Sequence, residues 1–219
     1  MGKLLVAFVV GAVAFLIYKG LYPTETYKYR LAMAIEVNGV AKQASSVIEV
    51  ASIAQPAFGS APPARNEISG QAVLLNVGDR SAIVAALNTG GNSDVEENAV
   101  AAAWLVPMAF GGGRSLSFQE ASKVTGSRLL TEKNLPRLIF FSDISDPKTA
   151  RKIHPGDIPD ILGSSSKFIG VSVEKTKDKL FIDLDKRLPW YSMLKERREI
   201  PISYGFSLTR AMFVGAGSW

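Results

Sequence analysis

The chain contains one histidine, His154, in the run Lys152-Ile153-His154-Pro155-Gly156-Asp157. A carboxylate beside an imidazole can fix its tautomer and stabilise its cation, so His154 and Asp157 form a candidate general-base pair. A surface or structural histidine accounts for the same residues. Hydrolysis would also need a serine brought in from elsewhere, because no G-x-S-x-G elbow is present. Serine–lysine chemistry dispenses with histidine but needs a desolvated lysine. The spacing S-x-x-K occurs at Ser145/Lys148, Ser164/Lys167 and Ser192/Lys195, among others. The S-D-N and K-T-G elements that accompany it in known enzymes are missing, which makes chance spacing the simpler account.

Gly111-Gly112-Gly113-Arg114-Ser115 offers backbone amides of the kind that cradle phosphate, but without the lysine and spacing of a P-loop, so it reads as a turn. The chain has no cysteine. That removes disulfides, thiol nucleophiles and thiolate metal sites, and leaves oxygen donors suited to Ca²⁺ or Mg²⁺. Asn92, Asp94 and Glu96 have part of a calcium-loop spacing but lack its glycine and terminal glutamate. Asp143/Asp146 and Asp183/Asp185 are paired carboxylates that turn caps and strand ends explain equally well. No metal or cofactor is expected, and Trp104 and Trp190 read as core or interface aromatics.

The elements that must carry these residues follow from periodicity. Residues 27–37 alternate, with Tyr27, Tyr29, Leu31, Met33, Ile35 and Val37 on one side, as in a half-buried strand. Asn38-Gly39 is the strongest short hairpin signal, since a type I′ turn needs positive φ at both positions. With those two residues at the turn, Val37 pairs with Val40, Leu31 with Ser46, Tyr29 with Ile48 and Lys28 with Glu49. The second strand covers 42–52, and a long loop covers 57–69. A second hairpin, 71–77 with 81–87, completes an expected four-strand antiparallel meander.

Beyond it, Asp94 with Glu97 suggests a capped helix that stops near Pro107, and Ser117 with Glu120 suggests a second over 117–125. Strands are expected at 137–141, 167–175, 180–184 and 203–214. Asp146-Pro147 opens a helical turn, Asp157 caps a helix over 158–162 ended by Gly163, and 188–191 caps the core. Strands and helices fall in separate runs, which predicts an α+β domain that is mainly antiparallel. The domain spans 27–214, with a sub-boundary near 111–116 and a loose end at 215–219.

Ahead of the domain lies LLVAFVVGAVAFLIY, residues 4–18, which carries no charge. Extended to 1–22, with Lys19 snorkelling and Tyr18 and Tyr22 at the interface, it has the length of a single membrane span. Pro23 ends it, and 23–26 form a short linker. A cleaved signal peptide is the rival, with Ala12-Val13-Ala14 as the small-x-small site, but cleavage there would split the apolar run. A buried helix of a soluble core is a third reading.

Lys19, Lys28 and Arg30 follow the span and Lys3 precedes it, a bias toward a cytoplasmic domain. Long domains, however, translocate largely regardless of charge. The expected location is the inner membrane, single-pass, with a periplasmic C-terminal domain; a cytoplasmic domain is the alternative. Net charge is +5, with residues 31–110 acidic and 137–210 basic. The basic residues are scattered and form no nucleic-acid motif.

Three stretches, YKYRLAMAIEVNG with SSVIEV at 27–50, GQAVLLNVGDR at 70–80, and the series from Asp146 to Trp190, resemble a group of N-terminally anchored proteins of Gram-negative bacteria. The resemblance implies an envelope location and supplies nothing about fold, activity or site. The chain therefore reads as a membrane-anchored envelope protein whose domain binds a protein partner or the membrane surface. A membrane-tethered hydrolase assembled around His154 is the alternative.

Overall fold

The computed structural model describes residues 20–56, 64–87, 101–197, 199–203 and 206–215. The apolar segment expected to span a membrane falls almost wholly outside them. No helix among the described residues is long and apolar enough to cross a membrane. The described chain is α+β, with antiparallel sheets and short helices.

Its longest strands are β1 (Thr24–Val37) and β2 (Val40–Ala54). They pair in the expected register, with Val37 opposite Val40, Leu31 opposite Ser46 and Tyr29 opposite Ile48. Lys28 and Glu49 meet at 3.2 Å on the outer face. Asn38 and Gly39 both take positive φ, 49° and 81°. The alternation then sends Tyr27, Tyr29, Leu31, Met33 and Ile35 into the core. A one-residue slip would expose all five, which is why the register is unambiguous.

The expected four-strand meander does not form. Residues 64–70, read from sequence as loop, are strand β3 (Ala64–Gly70) and occupy the free edge of β2. β9 (Lys167–Lys175) takes the other side of β1, and β6 (Ser127–Leu129) pairs beyond it, giving the order β3-β2-β1-β9-β6. The second hairpin, β4 (Val73–Asn76) with β5 (Ala82–Ala85), belongs to another sheet, with β7 (Leu138–Phe141) and β8 (Ala150–Ile153) in the order β4-β5-β7-β8.

Gly70 marks the break. Its φ is +121°, and a β-carbon there would lie 2.6 Å from the Val47 carbonyl oxygen. Only glycine lets the chain leave β2 at that point. Every residue of β5 and β7 is buried, so the central strands of the second sheet are covered on both faces. Such strands read as continuous apolar runs, without the alternation that reveals a face.

Helix α1 (Ala102–Phe110) runs through Pro107 to Phe110 instead of stopping before it. The part of the expected helix from Asp94 to Val100 lies outside the described residues. Proline has no N–H, so the carbonyl of Ala103, four residues back, loses its helical donor. The Tyr27 hydroxyl donates to that oxygen at 3.3 Å. The neighbouring Tyr29 hydroxyl donates to the Ala102 carbonyl at 2.7 Å. Both phenols are buried, and burial raises their pKa well above the ordinary range; for Tyr29 the neighbouring Tyr27 adds to it. α2 (Phe118–Lys123) has the expected capping box: Ser117 and Glu120 exchange side-chain bonds with each other's backbone N–H.

The C-terminal region departs from expectation. Residues 180–184 are not a strand. α4 (Leu184–Arg187) starts there, following α3 (Ile158–Leu162), and the Gln71 side chain holds its start. Gln71 Oε1 accepts from the N–H groups of Asp183 and Leu184, at 2.8 and 2.9 Å, and its Nε2 donates to Asp183 Oδ1 at 2.8 Å.

The single strand expected at 203–214 is a hairpin, β10 (Glu199–Ser203) with β11 (Phe206–Thr209), then α6 (Arg210–Phe213); α5 (Tyr191–Arg197) precedes it. Gly215, expected in a loose end, donates its N–H to the Gly70 carbonyl at 3.0 Å. Trp190 closes the core as expected: it stacks on Phe141, meets Phe213 edge-on, and donates Nε1–H to the Ile144 carbonyl at 2.8 Å.

The tyrosine bonds can be tested by urea denaturation of the full chain in detergent micelles. Tyr27→Phe leaves a buried carbonyl with no donor and should cost about 1–3 kcal/mol; Tyr29→Phe spares a carbonyl that keeps its helical N–H and should cost about 0.5–1.5 kcal/mol. Pro107→Ala returns the missing donor, so the Tyr27→Phe penalty should shrink in that background. A double-mutant cycle with no coupling between 27 and 107 would reject the assignment.

Candidate interaction surface

Among the described residues, those nominated for chemistry form no serine–histidine–carboxylate cluster, although His154 and Asp157 are in contact. His154 is exposed, on the turn between β8 and the 3₁₀ helix Pro155–Asp157. Asp157 accepts from the backbone N–H of His154 itself, at 2.7 Å through Oδ2. The carboxylate closes its own turn, while the expected side-chain cap on α3 is absent. Among the described residues no serine hydroxyl bonds to the His154 ring.

Two of these serine–lysine spacings contribute to local structure. Ser145 donates to Asp143 at 2.6 Å, and Asp146 accepts from the Lys148 N–H at 2.9 Å. Lys167 pairs with Glu36 at 3.1 Å. Ser192 and Lys195 are exposed on α5. Those three lysines face solvent, the opposite of what a lysine base needs. A fourth spacing, Ser172/Lys175, has a half-buried lysine whose pKa burial lowers. Its ammonium lies 4.5 Å from the centre of the Tyr27 ring, and residues three apart on strand β9 point to opposite faces, so Ser172 and Lys175 do not meet.

The paired carboxylates are likewise occupied. Bonds from Ser145, and then the Arg80 guanidinium, hold the Asp143 carboxyl below its usual range. Asp183 is held by Gln71, and Asp185 is exposed. Asn92, Asp94 and Glu96 lie outside the described residues. Among the described residues no three His, Asp or Glu side chains come close enough together to hold a metal ion. Gly111–Gly113 form the turn between α1 and α2: Gly112 and Gly113 take positive φ, and Arg114 turns back to pair with Glu120 at 2.8 Å.

What the fold does assemble is an apolar margin along α1 and the β6 edge. Trp104 and Met108, four residues apart on α1, remain 42% and 37% exposed. Residues at that spacing share one helix side. The Trp104 ring lies 5.0 Å from that of half-buried Phe118, centroid to centroid. Further along, the Arg128 guanidinium sits 5.1 Å from the centre of the Phe110 ring.

Leu129, next on β6, is exposed and covers Gly170 of β9, where a β-carbon would come within 2.7 Å of its Cδ1. Ile169 is exposed because β9 bulges there: Gly170 pairs with Ala34 and Phe168 with Ile35, leaving Ile169 unpaired. A bulge at a sheet edge re-aims a side chain in this way. Tryptophan, methionine and arginine at a partly exposed margin match the composition of protein-binding surfaces.

Sequence reasoning named Trp104 without choosing between core and interface, and it missed Met108, Leu129 and Ile169. The four-residue spacing of Trp104 and Met108 was the available signal. A bulge leaves no comparable mark in the sequence. Comparison with protein-family models, with curated proteins and with solved structures returns no match. Among the described residues the architecture is α+β, with a five-stranded and a four-stranded antiparallel sheet, the β10–β11 hairpin, and an apolar margin where α1 meets β6.

The turn between α1 and α2 carries an ion pair, Arg114 with Glu120. The Arg114 guanidinium and the N–H and hydroxyl of Ser117 bond to the Glu120 carboxylate and pull its pKa down to about 2. Since the unfolded value is near 4.3, the contribution of Glu120 is complete above that pH and is lost as pH falls through about 2. The difference in melting temperature between wild type and Glu120→Gln should be steady near neutrality and close between about pH 4 and pH 2. A difference that persists unchanged at pH 2 would show that the charge is not what holds the turn.

Proposed function

We propose that this chain is a membrane-anchored binding protein of the bacterial envelope: residues 1–22 span the inner membrane, and the α+β domain presents the Trp104–Met108 margin to a protein partner. The observation that carries the binding role is that margin, an aromatic and a thioether left exposed on a helix that otherwise buries Ala102, Ala103, Leu105 and Val106. Tethering raises the local concentration of the domain, so a surface of modest size suffices. The anchor reading rests on the uncharged run 4–18 and on how directly it leads into the fold. The Pro23 carbonyl already accepts from the Ala54 N–H at 3.2 Å, and β1 starts at Thr24. The resemblance to anchored Gram-negative proteins supports an envelope location; the periplasmic side is our reading from the short N-terminus ahead of the span.

Alkaline carbonate extraction of cell membranes should leave the full-length chain in the pellet, and a reporter joined after Trp219 should be active only outside the cytoplasm. Recovery of a soluble chain that lacks residues 1–22 would defeat the anchor. For the binding role, a photo-crosslinking side chain at Met108 should yield a discrete adduct in cells, and the same group at His154 should not. Equal labelling at both positions would remove the case for the α1 margin.

A further inference from the structure

A second apolar feature lies at the end of the sheet where β1 begins. β9 finishes with Lys175 opposite Tyr29, and the Thr176 N–H donates to the Lys28 carbonyl at 3.2 Å. The chain therefore leaves the sheet on the side from which residues 20–23 enter. It is caught again at Asp183 by Gln71.

Between these two fixed points runs Lys177-Asp178-Lys179-Leu180-Phe181-Ile182. Phe181 is 68% exposed and Ile182 sits beside it, also exposed. Asp178 is held by the Arg30 guanidinium, so the exposed ammonium groups of Lys177 and Lys179 set the charge of the loop. A phenylalanine and an isoleucine held in solvent by a loop anchored at both ends, with lysines just behind, have the order of an interfacial membrane contact: apolar tip inward, cations at the headgroups. Leu21, also exposed, precedes β1 at the same end.

We propose that the 177–182 loop is a second membrane contact, with Phe181 and Ile182 entering the bilayer interface beside the emerging N-terminal segment and Lys177 and Lys179 facing anionic headgroups. The inference rests on the anchored reading above. The occupant is lipid because of connectivity: with the span ending at residue 22 and β1 starting at Thr24, the anchored reading keeps this end of the sheet at the bilayer. The loop contact then fixes the tilt of the domain and with it the direction in which α1 faces.

The absence of native cysteine permits a direct test on the full chain. Phe181→Cys, Ile182→Cys and, as a distant control, Val40→Cys would each be labelled with an environment-sensitive fluorophore. Val40 is exposed at the far tip of the β1–β2 hairpin. The labelled chains are reconstituted into phosphatidylcholine–phosphatidylglycerol vesicles containing a lipid-borne quencher.

The expected result is blue-shifted emission and several-fold stronger quenching at 181 and 182 than at 40. Lys177→Gln/Lys179→Gln, or vesicles without phosphatidylglycerol, should weaken it. If the chain floats with the vesicles and all three labels are equally open to an aqueous quencher, the loop contact is wrong and the anchor stands. If the chain does not float, both readings fall.

Discussion

Pro107 leaves the Ala103 carbonyl without its helical donor, and Tyr27, 76 residues before Ala103 in the chain, supplies one. A buried carbonyl with no partner is costly, so this bond and the adjacent one from Tyr29 fix where α1 lies on the first sheet. Much else follows from that placement. Ala102, Ala103, Leu105 and Val106 turn inward, and the Leu87 carbonyl accepts from the Ala102 N–H at 2.8 Å, tying the helix to the end of β5. Trp104 and Met108 are left on the outside by the same geometry. The exposed margin is thus a consequence of how the helix is docked.

The second sheet depends on a different constraint. Its central strands are apolar on both faces and need cover on each. The C-terminal segment supplies one cover, through Trp190 and Phe213, and is stitched in by backbone bonds from Ala72 to Phe213, Leu87 to Met212 and Gly215 to Gly70. Gln71 completes the arrangement by spending its whole side-chain amide on Asp183 and Leu184. The segment after β9 is therefore pinned at Thr176 and at Asp183, and the residues between project outward. Core closure at one end of the molecule and the exposed Phe181 loop are products of the same connections.

The surface is organised on short range as well. Arg114 and Glu120 sit on either side of the Ser117 cap, and Asp143 gathers Ser145 and Arg80 at another turn. These charges hold turns. His154 and Asp157 belong with them: the carboxylate satisfies a backbone N–H three residues away, which is structural work that leaves the imidazole facing solvent. The exposed features that the fold leaves unused are accordingly apolar ones at its margins, with the charged groups acting mainly as local fasteners.

The β1–β2 register, the Asn38-Gly39 turn and the Ser117–Glu120 box were legible in the sequence by itself, because each depends on neighbours within a few residues and on the two-residue or 3.6-residue period. The α+β class followed from the order of those elements. Tertiary structure decided the rest. It divided the expected meander between two sheets, because β3 and β9 took both edges of the first hairpin. It carried α1 through Pro107, because a distant hydroxyl replaced the lost donor. It buried Trp190 and left Trp104 exposed, although the two are alike in sequence. Each of these outcomes rests on contacts between residues tens of positions apart, and local residue patterns carry no record of which distant partner will arrive.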